Sequence, residues 1–363
     1  MLSALLMLDR AGYASDAVEI STNDVTEDNG FNPNEDFVFN LPLTGEMART
    51  CLPGDDHAAA SCLPPVLSPG VQKCGTSFAY YYLIRHPSIG ASKMKEVNYF
   101  LSRAYSAGVE SYSSNFIDSP DKINIDFSPK YMMLPESAVM IYNTNRATKF
   151  VVMLRDPVDR AYSHFQFQRK LYEKNTVQAS KCPNRVSDLN FKQYLSEEFS
   201  VLNACNMSRW NPESPHWLYS ETMPSNCTTW TCFDPADLSS CQSCFQVPQV
   251  TVTKSLSLGY MSHGIYVTHI EYYLRFFPID NFLFVRFEDL EEKGETVVLN
   301  EIAEWMGLQS LPEESWGNIQ PINQNDYPPM EPDEETFLRQ FFEKPNQRLY
   351  ELIGRDMKWK RPE

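Results

Sequence analysis

Residues 70–78, Gly-Val-Gln-Lys-Cys-Gly-Thr-Ser-Phe, have the composition of a phosphate-binding loop. Two glycines five positions apart allow tight backbone turns, and two hydroxyl residues follow the second glycine. Such a loop directs backbone N–H groups at an anion, and the N-terminus of the next helix adds a partial positive charge. The sequence therefore predicts that a phosphate group binds at Lys73, Cys74, Gly75, Thr76, Ser77 and Phe78.

Lys73 does not occupy the position of the lysine in an ordinary nucleoside-triphosphate loop. That motif, Gly-x-x-x-x-Gly-Lys-Ser/Thr, has its lysine directly after the second glycine. Thr76 holds that position here, and Lys73 lies inside the loop. The displaced lysine indicates a phosphate ligand other than Mg-ATP. We also identify no aspartate placed to hold Mg²⁺, so the sequence predicts a site without a metal.

A second candidate phosphate site follows the apolar run of residues 150–154, which is typical of a buried parallel strand. Arg155 comes at the carboxyl end of this strand, and Pro157 suits the first turn of a helix. Ser163 lies two turns into that helix. The pattern predicts that Arg155 and Ser163 bind a second phosphate.

Taken in order, these motifs resemble the sulfotransferases that use 3′-phosphoadenosine 5′-phosphosulfate (PAPS), and within them the Golgi carbohydrate branch. The likeness is closest to the N-acetylgalactosamine 4-sulfate 6-O-sulfotransferases. It covers residues 62–359 apart from one unmatched insert. The matching motifs are Cys62-Leu-Pro, Lys73-Cys-Gly-Thr, His86-Pro, Lys95-Glu-Val-Asn-Tyr-Phe, Ser128-Pro-x-Tyr, Arg155-Asp-Pro-Val-Asp-Arg-Ala-Tyr-Ser, Gly264-Ile-Tyr, Phe284-Val-Arg-Phe-Glu-Asp-Leu and Lys344-Pro-Asn-Gln-Arg-Leu-Tyr-Glu-Leu-Ile-Gly.

The resemblance implies a role for each site residue. Lys73 would neutralise the bridging oxygen of the donor as sulfur leaves, and Arg155 with Ser163 would hold the 3′-phosphate. Glu96 would be the general base that deprotonates the acceptor hydroxyl. Relatives have a Lys-Glu-Val-His-Phe-Phe-like stretch here, and this chain has Asn98 in place of the histidine. The alternative is that Glu96 forms an ion pair at the surface with Lys93 or Lys95.

Other polar residues have weaker claims. His86 and His164 are alternative bases, but His86 precedes a proline at a helix end and His164 points away from Ser163 on a helix. Asp126 either orients the site or caps a turn. We interpret Arg146, Arg160, Arg169 and Arg286 as surface ion pairs or helix ends.

The net charge of the chain restricts which binding partners we expect. The chain has 363 residues and a formal net charge of -16, which disfavours nucleic-acid binding by a general basic surface. Many carbohydrate acceptors are polyanions. A local basic cleft would have to overcome the overall field, or the acceptor is neutral or lightly charged.

Alternating strand and helix patterns predict an α/β fold, with a parallel central sheet and helices on both faces. We divide the chain into a polar lead-in or stem at residues 1–60 and a sulfotransferase-like domain at 61–363. Strands are predicted at 64–71, where prolines interrupt the pattern, 123–131, 149–155 and 282–286. Helices are predicted at 76–85, 138–145, 157–173, 263–277 and 296–306.

An insert at about 181–248 holds most of the nine cysteines. Disulfides are favoured over zinc because the cysteine spacing is irregular and no histidine pair is nearby. Sequons at Asn206 and Asn226 add to the signature of the secretory lumen, and the resemblance implies the Golgi. An odd cysteine count leaves one thiol, which we assign to Cys74. Residues 1–8 are either the remnant of a membrane anchor or an ordinary first helix.

Three other functions stay open. The first is a sulfotransferase for a non-glycan hydroxyl, on a small molecule or on tyrosine. The second is a nucleotide kinase with a degraded phosphate loop. The third is a non-catalytic, lectin-like secreted protein that kept the fold.

Overall fold

The computed structural model describes residues 62–116, 121–174, 190–204, 259–319 and 327–362, together with short strands before residue 52. These early strands form two antiparallel pairs. Strands β1 (Ala4–Leu6) and β2 (Val18–Ile20) make one, and β3 (Phe39–Pro42) and β4 (Ala48–Cys51) make the other. The division into a lead-in and a domain at residue 61 stays a prediction.

The central sheet consists of β5 (Val66–Ser68), β6 (Ile89–Gly90), β7 (Ile123–Phe127), β8 (Lys149–Leu154) and β9 (Phe282–Arg286). Its order is β6-β7-β5-β8-β9, and every neighbouring pair is parallel. The predicted parallel sheet is therefore confirmed. β5 has only three residues because prolines precede and follow it, and a proline cannot donate to a ladder.

The helices lie between and after these strands. They are α1 (Thr76–Leu83), α2 (Ser102–Tyr105), α3 (Val109–Ser113), α4 (Pro135–Thr144), α5 (Pro157–Lys174), α6 (Phe191–Ala204), α7 (Tyr266–Tyr273), α8 (Asp289–Glu292), α9 (Glu295–Trp305) and α10 (Pro332–Ile353). Short 3-10 turns occur at Tyr131–Met133, Ser262–Gly264, Ile279–Asn281 and Glu313–Trp316. The single helix predicted at 263–277 is in fact a 3-10 turn followed by α7.

Strand order decides which face each helix covers. From β5 the chain moves two places along the sheet to β6, and from β7 it moves two places back, past β5, to β8. Right-handed crossovers in opposite directions put α1 and α4 on opposite faces. The contacts agree, since α1 packs on α9 whereas α4 packs on α7, which in turn packs on α10. Helices therefore cover both faces, as predicted.

Helix α6 lies within the predicted insert but belongs to the core. Its Phe191, Tyr194 and Leu202 are buried, and so is Glu198. The Glu198 carboxylate accepts hydrogen bonds from the backbone N–H groups of Met261 and Ser262, both at 2.9 Å. The rest of the predicted cysteine-rich region, with both sequons, lies outside the described residues.

The described residues also show the state of two cysteines and the length and apolar character of the helices. Cys74 is a free thiol, as predicted, and Cys62 is disulfide-bonded. Among the described helices, none is both long enough and apolar enough to cross a membrane.

Candidate active site

The loop between β5 and α1 is fixed to the neighbouring strand β8. The Val71 N–H donates to the Met153 carbonyl at 3.0 Å, and the Met153 N–H donates to the Gly70 carbonyl at 3.0 Å. Gly75 precedes α1 in a left-handed conformation, with φ of 86°. The first four N–H groups of a helix have no acceptor within the helix. The loop therefore presents the start of α1, with its free N–H groups, from a rigid support.

Lys73 lies in this loop with its ammonium partly withdrawn from water. Its Nζ is 4.3 Å from the centroid of the Phe167 ring, a cation–π contact. Burial and, to a smaller extent, the charge of nearby Arg155 lower the pKa of Lys73 to about 8, while Cys74 opposes the shift. A desolvated cation of this kind interacts strongly with an incoming phosphate because little solvent screens it.

Arg155 is the neighbour of Lys73 at the end of β8. Its Nη1 donates to the Lys73 carbonyl at 3.4 Å, and its guanidinium lies 4.7 Å from the centroid of the Phe287 ring. The Tyr266 hydroxyl donates to the Arg155 carbonyl at 2.8 Å. The fold thus brings together two of the predicted phosphate-binding residues, which are 82 positions apart in the chain.

Ser163 lies on α5, which begins two residues after Arg155, and its side chain is buried. Phe167 follows one turn later, at the spacing that places two residues on one helix face. The contact of Phe167 with Lys73 thus brings the face that carries Ser163 towards the phosphate loop. Sequence reasoning missed Phe167, although this four-residue spacing could have indicated it.

Cys74 is a packing residue in this loop. Its thiol is fully buried, and its Sγ lies 3.8 Å from the Tyr266 hydroxyl. Burial raises the pKa of the thiol to about 11, so it stays protonated at neutral pH. The Cys74 backbone N–H donates to the Val71 carbonyl at 3.2 Å, so the predicted contact of Cys74 with a phosphate has neither a thiolate nor a free N–H to make it.

The segment carrying Glu96 reaches the same edge of the sheet. The Asn98 N–H donates to the Ser128 hydroxyl at 3.0 Å, and the Ser128 N–H donates to the Ser68 carbonyl at the end of β5. Lys95 Nζ lies 2.5 Å from Glu96 Oε1. The alternative ion pair with Lys95 is therefore present, with the Lys95 side chain 9% exposed and the Glu96 side chain 33% exposed.

A second lysine and a carboxylate surround Glu96 at longer range. Lys130 lies close enough for the Glu96 charge to raise its pKa, although burial has the larger effect and the net shift is downward. Asp126 is completely buried, and burial raises its pKa, with a smaller rise from Glu96. Glu96 thus lies beside the Lys95 ammonium, with the partly buried Lys130 and the buried Asp126 at longer range.

Asp126 accepts hydrogen bonds from side-chain hydroxyls. The donors are Ser128 at 2.6 Å, Tyr112 at 2.9 Å and Tyr131 at 3.0 Å. Of the two roles considered from sequence, orienting the site fits these contacts better than capping a turn. A cap would accept from backbone N–H groups.

The two histidines have structural surroundings. The His86 ring uses both nitrogens, since Nε2 donates to the Gln309 carbonyl and Nδ1 accepts from the Ser88 N–H. His164 is buried, and burial lowers its pKa well below the usual range, with a further contribution from Arg160.

The surface interpretation of two arginines is wrong. Arg160 is fully buried and donates to the carbonyls of Gly259 and Tyr260. Arg286 is also buried, where it pairs with Asp289 at 3.1 Å. Helix phase places Arg160 on the inner face of α5, and sequence alone showed no partner for it.

Arg339 on α10 is a functional-site neighbour that sequence reasoning missed. Its guanidinium is buried and forms an ion pair with Asp156, directly after Arg155. The two residues are 183 positions apart, so no local pattern connects them.

Within the described ranges, no group of three or more His, Cys, Asp or Glu side chains is placed to hold a metal ion.

The chain is similar in sequence to known sulfotransferases. The sulfotransferase domain family matches residues 63–326. The membrane-associated sulfotransferase kil1 of Dictyostelium discoideum is 27% identical over 350 residues, which cover 86% of this chain and 70% of that protein. The bifunctional heparan sulfate N-deacetylase/N-sulfotransferase 4 of Mus musculus is 24% identical over 85% of this chain, but only 31% of that protein is covered.

Two further similarities are more limited. The heparan sulfate glucosamine 3-O-sulfotransferase 5 of Mus musculus is 31% identical over 111 residues, 30% of this chain and 32% of that enzyme. The crystal structure of a sulfotransferase from Alicyclobacillus acidocaldarius has a TM-score of 0.52 and 20% identity, over 81% of this chain and 97% of that one. The structural match supports the fold.

Proposed function

The chain belongs to the sulfotransferase domain family, and from this premise we propose that it transfers a sulfuryl group from PAPS to a carbohydrate hydroxyl. The observation that carries the proposal is the contact of Arg155 with the Lys73 backbone, at 3.4 Å. This contact puts two groups that we propose to bind phosphate next to each other at one sheet edge. A nucleotide with phosphates at both its 5′ and 3′ positions needs such a pair.

We assign the two ends of the donor as follows. The backbone N–H groups of Gly75, Thr76, Ser77 and Phe78 would hold the 5′-phosphosulfate, helped by the dipole of α1. Arg155 and Ser163 would hold the 3′-phosphate. Lys73 would contact the oxygen that bridges phosphorus and sulfur.

The reaction requires one proton transfer and one exchange of bonds at sulfur. Glu96 accepts the proton of the acceptor hydroxyl, whose oxygen forms a bond to sulfur. The bond between sulfur and the bridging oxygen breaks, and its electron pair stays on the 5′-phosphate of the product, 3′-phosphoadenosine 5′-phosphate (PAP). Lys73 stabilises this growing negative charge. No step requires a metal.

The names of two of the relatives support a carbohydrate acceptor, because they refer to heparan sulfate. The finer resemblance to N-acetylgalactosamine 4-sulfate 6-O-sulfotransferases remains part of this proposal. We place the protein in the Golgi lumen or elsewhere in the secretory pathway, with possible glycans at Asn206 and Asn226. The disulfide bond at Cys62 is consistent with an oxidising compartment.

The test is transfer of radiolabelled sulfate from PAPS to a panel of acceptors. The panel contains neutral glycans, sulfated glycans, tyrosine peptides and small phenols. We expect a glycan to be the best acceptor. Labelling of only peptides or phenols would contradict the carbohydrate assignment, and Mg²⁺-dependent phosphate transfer from ATP would favour the kinase alternative.

The variant Glu96→Gln tests whether Glu96 is the general base. We expect turnover to fall by about a hundredfold or more, with PAP affinity unchanged, since general bases contribute factors of this size. Glu110→Gln on the exposed side of α3 is the matched control and should leave turnover unchanged. Normal sulfation by Glu96→Gln would show that the base is another group.

A further inference from the structure

The segment that carries Glu96 has an unfavourable backbone conformation. Glu96 has a φ of 63° and Asn98 a φ of 55°, so two non-glycine residues within three positions lie in the left-handed region. Asparagine tolerates this region better than most residues, and glutamate has no such preference. Strain at a functional segment persists only where the surroundings enforce it.

Ser128 is the group that enforces it. Its hydroxyl accepts the Asn98 N–H at 3.0 Å, and the Asn98 side-chain amide donates back to the Glu96 carbonyl at 2.9 Å. A serine hydroxyl has one proton to donate and two lone pairs. The proton of Ser128 goes to Asp126 Oδ1 at 2.6 Å, which turns a lone pair towards Asn98.

Hydrogen bonds hold both carboxylate oxygens of Asp126 in place. Asp126 lies on β7, an inner strand of the parallel sheet, and is fully buried. Its second oxygen accepts from Tyr112 at 2.9 Å and from Tyr131 at 3.0 Å. The chain of contacts from β7 to Glu96 therefore consists of short hydrogen bonds between buried groups and one backbone N–H.

We infer that Asp126 and Ser128 are positioning residues, which hold the strained backbone at Asn98 so that the Glu96 carboxylate faces the acceptor hydroxyl. The inference rests on the proposed role of Glu96 as the base. It also accounts for Asn98, since a residue at this position must accept a positive φ while its N–H meets Ser128.

The test variant is Ser128→Ala, which removes the acceptor for the Asn98 N–H and leaves Asp126 and both tyrosines in place. We expect kcat to fall about tenfold, with the KM for PAPS and the affinity for PAP within about twofold of the wild type. Unchanged PAP affinity also shows that the variant is folded. Asp126→Asn, which keeps the side-chain volume, should lower kcat in the same selective way.

Tyr112→Phe is the matched control. It removes one hydrogen bond from Asp126 but leaves the link from Ser128 to Asn98 intact. It should lower the thermal midpoint about as much as Ser128→Ala while kcat stays within about twofold of the wild type. If both variants lower kcat by the same factor, the network is merely structural and the inference is overturned.

A double variant shows whether Ser128 acts through Glu96. In a Glu96→Gln background, Ser128→Ala should have no further effect on the residual kcat, because residues that act as one unit are not additive. A full tenfold loss in that background would overturn the inference. If Glu96→Gln lowers kcat about a hundredfold or more but Ser128→Ala keeps the wild-type kcat, the positioning role fails and the base assignment stands. If Glu96→Gln retains turnover, the base assignment and the positioning role fail together.

Discussion

The lysine of the phosphate loop should make donor binding depend on pH in the neutral to alkaline range. Burial and Arg155 lower the pKa of Lys73 to about 8 in the free protein. Its ammonium form therefore dominates below pH 8 and is lost above it. The dianionic 5′-phosphate of PAP binds the ammonium form better, so PAP affinity should fall as the pH rises through 8.

We expect PAP affinity to fall about tenfold between pH 7 and pH 9, as the fraction of charged Lys73 falls by that factor. Isothermal titration calorimetry measures it. Neither Cys74 nor His164 titrates in this range, because burial moves their pKa values in opposite directions away from it. Lys73→Arg keeps the charge at all these pH values and is the control. An equal fall in that variant would show that another group is responsible.

Gly75 is required both for its conformation and for its lack of a side chain. Its φ is 86°, and a Cβ there would lie 2.8 Å from a ring carbon of Phe287. We expect Gly75→Ala to lower PAP affinity at least tenfold, because the loop must shift to relieve both problems. Calorimetric PAP titration gives the affinity.

Gly294→Ala is the matched control for this prediction. Gly294 has a similar φ of 93°, but nothing lies within 4 Å of its added Cβ. This variant should lose about 1–2 kcal/mol of unfolding free energy from backbone strain alone, with unchanged PAP affinity. If Gly75→Ala also binds PAP normally, the loop does not need its observed shape for the donor.

At the scale of elements, helix α10 supports the turn between β8 and α5. The buried pair of Arg339 and Asp156 joins them next to Arg155. Removing one partner leaves an uncompensated charge in the interior. We expect Arg339→Met to lower the free energy of unfolding by about 3–5 kcal/mol, measured by urea denaturation.

Lys192→Met is the control for the α10 prediction. It breaks the pair of Lys192 with Asp333, which also joins α10 to another helix but has both side chains more than half exposed. Exposed pairs contribute little, so the urea midpoint should not move. Equal losses in the two variants would mean that α10 does not stabilise the turn through Arg339.

The elements differ in how far the sequence predicted them. β8 and α5 were predicted closely, because an apolar run followed by Arg-Asp-Pro is a local signal. The two-residue strand β6 was missed because it is too short to show any periodicity. Helix α6 was not predicted, because we assigned its residues to the cysteine-rich insert on the basis of the neighbouring cysteines. Its apolar face in fact packs in the core.

Long-range contacts account for the rest of what was missed at the site. The loop glycines and Arg155 stood out by type and spacing. Arg339 did not, because its partner is remote in sequence, and the buried position of Arg160 depends on how α5 packs. The left-handed backbone at Glu96 and Asn98 could not be foreseen either, since it depends on Ser128, which follows β7 and is remote in sequence.

For the whole molecule, the strand order creates the site. β5 and β8 are neighbours in a parallel sheet, so the loop after β5 and Arg155 after β8 meet at the same edge. β7 lies on the other side of β5 and brings Ser128 and the Glu96 segment to that edge. The residues that we propose to hold the sulfuryl donor and the proposed base thus lie at adjacent strand ends, where ligand sites usually occur in open α/β sheets.

The central claim is that the loop and Arg155 hold opposite ends of one nucleotide. The most direct test compares PAP with adenosine 5′-monophosphate, which differs only by lacking the 3′-phosphate, in competition binding to wild type and Arg155→Met. The account predicts that Arg155→Met weakens PAP binding by about 10- to 100-fold, as for a lost charge-assisted hydrogen bond, and changes binding of the monophosphate less than about twofold. Loss of affinity by the same factor for both ligands would contradict it.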